Sequence, residues 1–180
     1  MSDLLSALRA VTTVVADTGD VNQIRDYQPT DVTTNPSLIL KAAQSGETKQ
    51  RMAECVAEAK AEFGDDWQDD AIDRIAVDFG VALSKLVPGY VSTEVNARLS
   101  FDTEAMVKNG QKLMAYYTQK GVSTDRILIK VAATYEGIEA ARQLEAMGYK
   151  CNVTLVFHKV QAVAAAKAGA FLISPFVGRI

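Results

Sequence analysis

Short apolar runs alternate along the chain with longer stretches in which apolar positions recur every three or four residues, the pattern of strands interleaved with helices. Six runs read as strands: residues 12–16 before Asp17, 32–34 before Asn35, 90–93 before Glu94, 126–132 around Lys130, 151–157 around Asn152 and Thr154, and 170–173 before Ser174. The fourth, fifth and sixth are nearly continuous in apolar residues, which predicts burial on both faces. Helices are predicted over 36–44, with Pro36 in the first turn, and over 48–63, 67–86, 102–120, 135–147 and 159–168. Gly121, Gly148 and Gly169 stand where C-terminal caps belong. The first nine residues read as one more helix. Asp3 and Arg9 interrupt what would have to be the apolar core of a secretory leader, so a cytoplasmic location is expected. The acidic cluster Asp65, Asp66, Asp69 and Asp70 reads as the solvated start of a helix.

An open doubly wound sheet and a closed barrel both fit this alternation. No Gly-x-Gly-x-x-Gly follows the first run, whereas polar residues gather at the C-terminal ends of several strands, where a barrel carries its chemistry. The expected fold is therefore α/β, a (β/α)8 TIM barrel in a single domain over residues 1–180. Eight strands typically need about 250 residues, so the chain is expected to be a barrel truncated after strand six.

Composition narrows the function. The chain has 180 residues, 48% of them hydrophobic and 23% charged, which excludes a disordered or collagen-like protein. Its 19 Lys and Arg against 22 Asp and Glu give a net charge of −3, with no basic footprint for nucleic acid. No apolar run approaches the roughly 20 residues of a membrane span. Cys55 and Cys151 lack a second ligand at metal spacing, which predicts reduced thiols and no structural zinc.

Lys130 is the most informative residue. It sits within ILIKVAA at 127–133, and strand alternation puts Leu128, Lys130 and Ala132 on one face and Ile127, Ile129 and Val131 on the other. A lysine directed into a barrel is a candidate amine nucleophile for a carbonyl substrate, since desolvation favours its neutral form. It equally fits a lysine that snorkels or pairs with a carboxylate. Asp17 and Glu94 end two other strands and suit proton transfer; alternatively Asp17 caps a turn, and Glu94 pairs with Lys85 or Arg98. Asn35, Asn152 and Thr154 suit the oxygens of a polyol, although Asn35 also fits a helix cap and Thr154 a plain strand residue. Ser174 and Arg179, in SPFVGR at 174–179, suit a phosphate dianion, or Arg179 is a surface arginine. His158, Trp67, Tyr116 and Tyr117 receive no role.

Taken together, the strings VVADTGD at 14–20, TTNPSLIL at 33–40, LVPG at 86–89 and VSTEVNARLS at 91–100 resemble the first three strands and turns of the class I transaldolases. RILIKVA at 126–132, CNVTLVF at 151–157 and FLISPFVGRI at 171–180 resemble strands four to six. The resemblance implies a barrel of the class I aldolase type. It also implies a cytoplasmic pentose phosphate pathway transferase that moves a dihydroxyacetone unit from sedoheptulose 7-phosphate or fructose 6-phosphate to an aldose phosphate, such as erythrose 4-phosphate or glyceraldehyde 3-phosphate. No metal or organic cofactor is implied, and the partners are sugar phosphates, with neither nucleic acid nor membrane.

By matching position, the resemblance makes Lys130 the Schiff-base lysine and Asp17 the acid/base that takes the donor's hydroxyl proton. Glu94, with Thr154 and a water, handles the protons of carbinolamine formation and hydrolysis. Asn35 and Asn152 hold the dihydroxyacetone hydroxyls, Ser174 and Arg179 the phosphate, and Phe176 lines the pocket. Transaldolases of this long form continue through two more strands, a second phosphate-binding arginine and a C-terminal helix. The sequence is therefore read as an N-terminal portion, whose open barrel edges predict a homodimer or self-association. Two further readings stand beside an active transaldolase: an inactive fragment or interaction partner, and a fructose 6-phosphate aldolase that uses free dihydroxyacetone. Phe176, where such an aldolase would place a water-activating tyrosine, leans toward transfer.

Overall fold

In the computed structural model, which describes residues 3–43 and 46–179, six parallel strands pair strictly in chain order. They are β1 (Val15–Asp17), β2 (Asp31–Thr33), β3 (Val91–Glu94), β4 (Ile127–Ala132), β5 (Cys151–Val156) and β6 (Leu172–Pro175). Parallel crossovers are right-handed, so a sheet that never reverses its strand order lays every crossover helix on one side. The sheet then curls around its other face, here into a half-barrel. A doubly wound sheet would show a reversal of strand order, and none occurs among the described strands.

The helices are α1 (Leu4–Arg9), α2 (Val21–Tyr27), α3 (Pro36–Ala43), α4 (Gly46–Phe63), α5 (Trp67–Ser84), α6 (Thr103–Gln119), α7 (Tyr135–Ala146) and α8 (Lys159–Lys167). Gly121, Gly148 and Gly169 adopt φ of 75°, 88° and 84°, the left-handed caps the sequence predicts. The predicted end of α3 at Gln44 lies outside the described residues. The core between sheet and helices is built from one parity of strand residues: Val32, Val91, Ile127, Ile129, Val131, Cys151 and Val153. The other parity, Ser92, Leu128, Lys130, Asn152 and Thr154, is also buried, because the curl folds the concave face over itself. On the helix side, Gly80 of α5 lies against Tyr117 of α6, and a Cβ there would sit 1.5 Å from the tyrosine oxygen. Both cysteines are buried and free, and burial pushes their thiols up, Cys55 to about 11.

Four sequence expectations are corrected. The first strand starts at Val15 and not at residue 12, because the Val11 and Thr12 amides still bond to the Leu8 carbonyl at the end of α1. Helix α2 was not predicted; it has seven residues and buries only Ile24, too little for an apolar stripe. β6 is not buried on both faces. It pairs only with β5 among the described residues, and Leu172 is 36% exposed. The acidic cluster is not wholly solvated either: Asp70 is buried, accepting bonds from the Tyr116 hydroxyl and from Arg74 Nε at 2.5 Å.

Candidate active site

Strand register sets the site. Glu94, Lys130 and Asn152 are Cα partners in one rung across β3, β4 and β5, and Asp17, Thr33 and Ser92 form a second rung across β1, β2 and β3. Side chains at partner positions of a parallel ladder share a face, so both rungs point into the concavity.

Lys130 is 6% exposed, and its Nζ donates to the Thr34 main-chain carbonyl at 3.0 Å and lies 3.5 Å from Glu94 Oε2. The inward and the carboxylate-paired readings of this lysine therefore hold together, and the snorkelling one fails. Burial pushes the Glu94 carboxyl above its ordinary range; the Lys130 charge and hydrogen bond pull it back, and the negative charge of Asp17 pushes it up again. Among the described residues neither Lys85 nor Arg98 pairs with Glu94; Arg98 stands 3.8 Å from Asp69 instead. Asp17 is exposed at the end of β1 and does not cap the turn, because the Asp20 carboxylate accepts from the Asn22 and Gln23 amides and takes that task.

Asn152 is a buried hub. Its Nδ2 donates to Ser92 Oγ at 3.1 Å and its Oδ1 accepts from Ser174 Oγ at 2.7 Å, so β3, β5 and β6 are tied through one amide. Thr154, also buried, is the ladder partner of Ala132 and lies one inward step beyond Asn152. Asn35 caps α3, its Oδ1 accepting from the Leu38 amide at 3.0 Å. Phe176 and Arg179 form a separate cluster at the same end of the strands. The Phe176 ring lies 5.4 Å from that of Phe157, and the exposed Arg179 guanidinium lies 5.4 Å above Phe176. His158, assigned no role from sequence, caps α8 with Nδ1 accepting from the Val160 amide.

Two inward residues escaped the sequence reading. Ser92 holds the Asn152 amide. Thr33 Oγ1 is closed off from solvent and is the single side-chain polar atom so buried without a hydrogen-bond partner among the described residues. Counting two residues back from Glu94 along β3 finds Ser92 on the same face. Thr33 gives no comparable signal.

The concave face thus combines an enclosed amine, a carboxylate with a raised pKa 3.5 Å away, a fixed amide and an unpaired hydroxyl. Such a set can add an amine to a carbonyl and move the protons that addition requires. Among the described residues, no group of three or more His, Cys, Asp or Glu is placed to hold a metal ion. No helix among them is long and apolar enough to cross a membrane.

The family described as Transaldolase/Fructose-6-phosphate aldolase matches residues 14–180. Three curated relatives named Transaldolase, from Edwardsiella ictaluri (strain 93-146), Aeromonas salmonicida (strain A449) and Histophilus somni (strain 2336), are each 54% identical to this chain over 182 aligned positions. Each alignment covers 100% of this chain and 57%, 58% and 57% of the respective relative. The chain spans somewhat more than half the length of the curated relatives it matches.

Proposed function

The chain belongs to the transaldolase/fructose-6-phosphate aldolase family, and from that premise we propose that its concave face carries Schiff-base transfer of a dihydroxyacetone unit between sugar phosphates. The observation that carries the reading is Lys130, an amine enclosed in an apolar strand with Glu94 as its nearest carboxylate.

In this reading Lys130 Nζ gives up a proton and attacks the ketose carbonyl carbon. The new C–N bond yields a carbinolamine, which loses water to form the iminium. Glu94, with Thr154 and a water, delivers the proton that lets the hydroxyl leave. Asp17 then takes the proton of the hydroxyl beyond the scissile bond. The carbon-carbon bond breaks, its electrons pass into the iminium as an enamine, and an aldose phosphate departs. Attack of the enamine on a second aldehyde and hydrolysis of the imine return Lys130. Asn152, held by Ser92, and Asn35 hold the dihydroxyacetone hydroxyls, while Arg179 takes the phosphate together with Ser174, whose hydroxyl turns from Asn152 to donate to it.

The Phe157–Phe176 pair favours transfer over aldol release, since an apolar wall keeps water from the covalent enamine. The test supplies fructose 6-phosphate with and without erythrose 4-phosphate. Sedoheptulose 7-phosphate formed with the acceptor, and no steady release of free dihydroxyacetone without it, supports transfer. Free dihydroxyacetone released at the same rate without it supports the aldolase reading.

A further inference from the structure

Gln161, in the first turn of α8, uses both ends of its side-chain amide. Oε1 accepts from the Phe157 and His158 amides at 2.9 and 3.0 Å, which completes a capping box with His158. That half alone suffices to cap the helix. Nε2 does something else. It donates to the carbonyls of Ala133 and Leu155 at 2.9 and 3.3 Å, and so bridges the C-terminal ends of β4 and β5.

These ends need a bridge. The β4–β5 ladder has its last rung at Ala132 and Thr154, and the β5–β6 register shifts between Val153 and Val156. Leu155, the residue after Thr154, has a φ of 60°, a conformation that a non-glycine side chain holds only when its surroundings impose it. The Ala133 amide holds the Thr154 carbonyl at 2.7 Å from one side, and Gln161 holds the Ala133 and Leu155 carbonyls from the other.

We infer that Gln161 is a positioning residue, whose Nε2 clamp on Ala133 and Leu155 fixes the Thr154 hydroxyl relative to Lys130. The inference rests on the Schiff-base reading above, in which Thr154 works with Glu94 and a water on the carbinolamine.

Gln161→Glu separates the two halves of the amide. A glutamate keeps the acceptor that caps α8 and places a carboxylate oxygen against the two carbonyls in place of the N–H donors. The experiment measures the rate at which fructose 6-phosphate becomes fixed to Lys130 by borohydride in wild type, Gln161→Glu, Thr154→Val and the double variant, with Tm recorded for each. Labelling at neutral pH is expected to slow at least tenfold in Gln161→Glu while Tm stays within a few degrees of wild type. The ratio to wild type should recover as pH falls and the introduced carboxyl regains a donor proton. The double variant should be no slower than Thr154→Val alone, because the clamp acts only through Thr154. Should Gln161→Glu fail to fold, Gln161→Met gives up both halves and must likewise slow labelling.

Labelling at the wild-type rate in the folded Gln161 variant, or a double variant slower by the product of the two single effects, overturns the clamp and leaves the Schiff-base reading intact. A wild-type chain that takes no label at Lys130 overturns that reading, and the clamp's catalytic consequence with it.

Discussion

Lys130 on β4 donates through Nζ to the main-chain carbonyl of Thr34, the residue that follows β2, 3.0 Å away and across the whole of β3. Two strand spacings in a flat sheet amount to roughly 10 Å, and the curl shortens that path along the concave face. Strand register, which makes Glu94 the ladder partner of Lys130 on β3, puts Glu94 Oε2 3.5 Å from the amine. Lys130 therefore sits between a carbonyl, which only accepts a hydrogen bond, and a carboxylate, which also takes a proton. Its nucleophilicity under the proposed function depends on the second partner.

Asp17 and Glu94 should fail at different steps. Asp17→Asn keeps the shape and loses the proton acceptor, so imine formation at Lys130 should persist while turnover falls by two or more decades. Glu94→Gln should slow imine formation itself. Single-turnover trapping with borohydride separates the two, and equal trapping defects in both variants would contradict the division of labour.

The raised pKa of Glu94 also makes a prediction about stability. Burial is its largest cause, Lys130 opposes it and Asp17 adds to it. A carboxyl whose folded pKa lies above its unfolded value of about 4.3 binds its proton more tightly in the folded state. Its contribution is full below that value and is lost as pH rises through the folded pKa. Wild type should therefore lose stability relative to Glu94→Gln as pH rises from about 4 through the folded pKa. Denaturant midpoints of the two proteins across that range check the sign, and a difference that is flat or grows in favour of wild type would contradict it.

Away from the site, Asp70 holds α5 to α6 through Tyr116 and Lys112, whose Nζ lies 3.5 Å from it, and accepts from Arg74 within α5. These partners hold its carboxyl below the usual range despite the cost of burial. Asp70→Asn removes one partner of a buried charge cluster and should cost about 3 kcal/mol, or roughly 6 to 12 °C in Tm. Asp69→Asn, at an exposed position, should change stability by no more than about 0.5 kcal/mol. Calorimetry on the two variants decides whether burial separates the neighbours as the fold implies.

Lys130 was legible in the sequence because a lysine flanked by Ile127, Leu128, Ile129 and Val131 breaks an apolar strand that would otherwise need no explanation. Its inward direction followed from the two-residue period, and the fold agrees. Glu94 and Asn152 were legible for the same reason, as polar residues at the end or on the inner parity of a strand. Ser92 and Thr33 were not, since small hydroxyl residues are ordinary in strands and only cross-strand register shows what they face. Asp70 was misread because its partners Lys112 and Tyr116 lie more than forty residues further along, on a helix that only the tertiary fold brings alongside. The exposure of β6 has a similar cause: an apolar run predicts a strand, and the cover over it comes from other elements.

One measurement bears most directly on the account. The 180-residue chain is incubated with fructose 6-phosphate and borohydride, digested, and mapped by mass for the reduced adduct. The account predicts the increment on the peptide that contains Lys130, and its loss in Lys130→Met. An increment on Lys85, Lys150 or Lys159, or equal labelling in Lys130→Met, would contradict it.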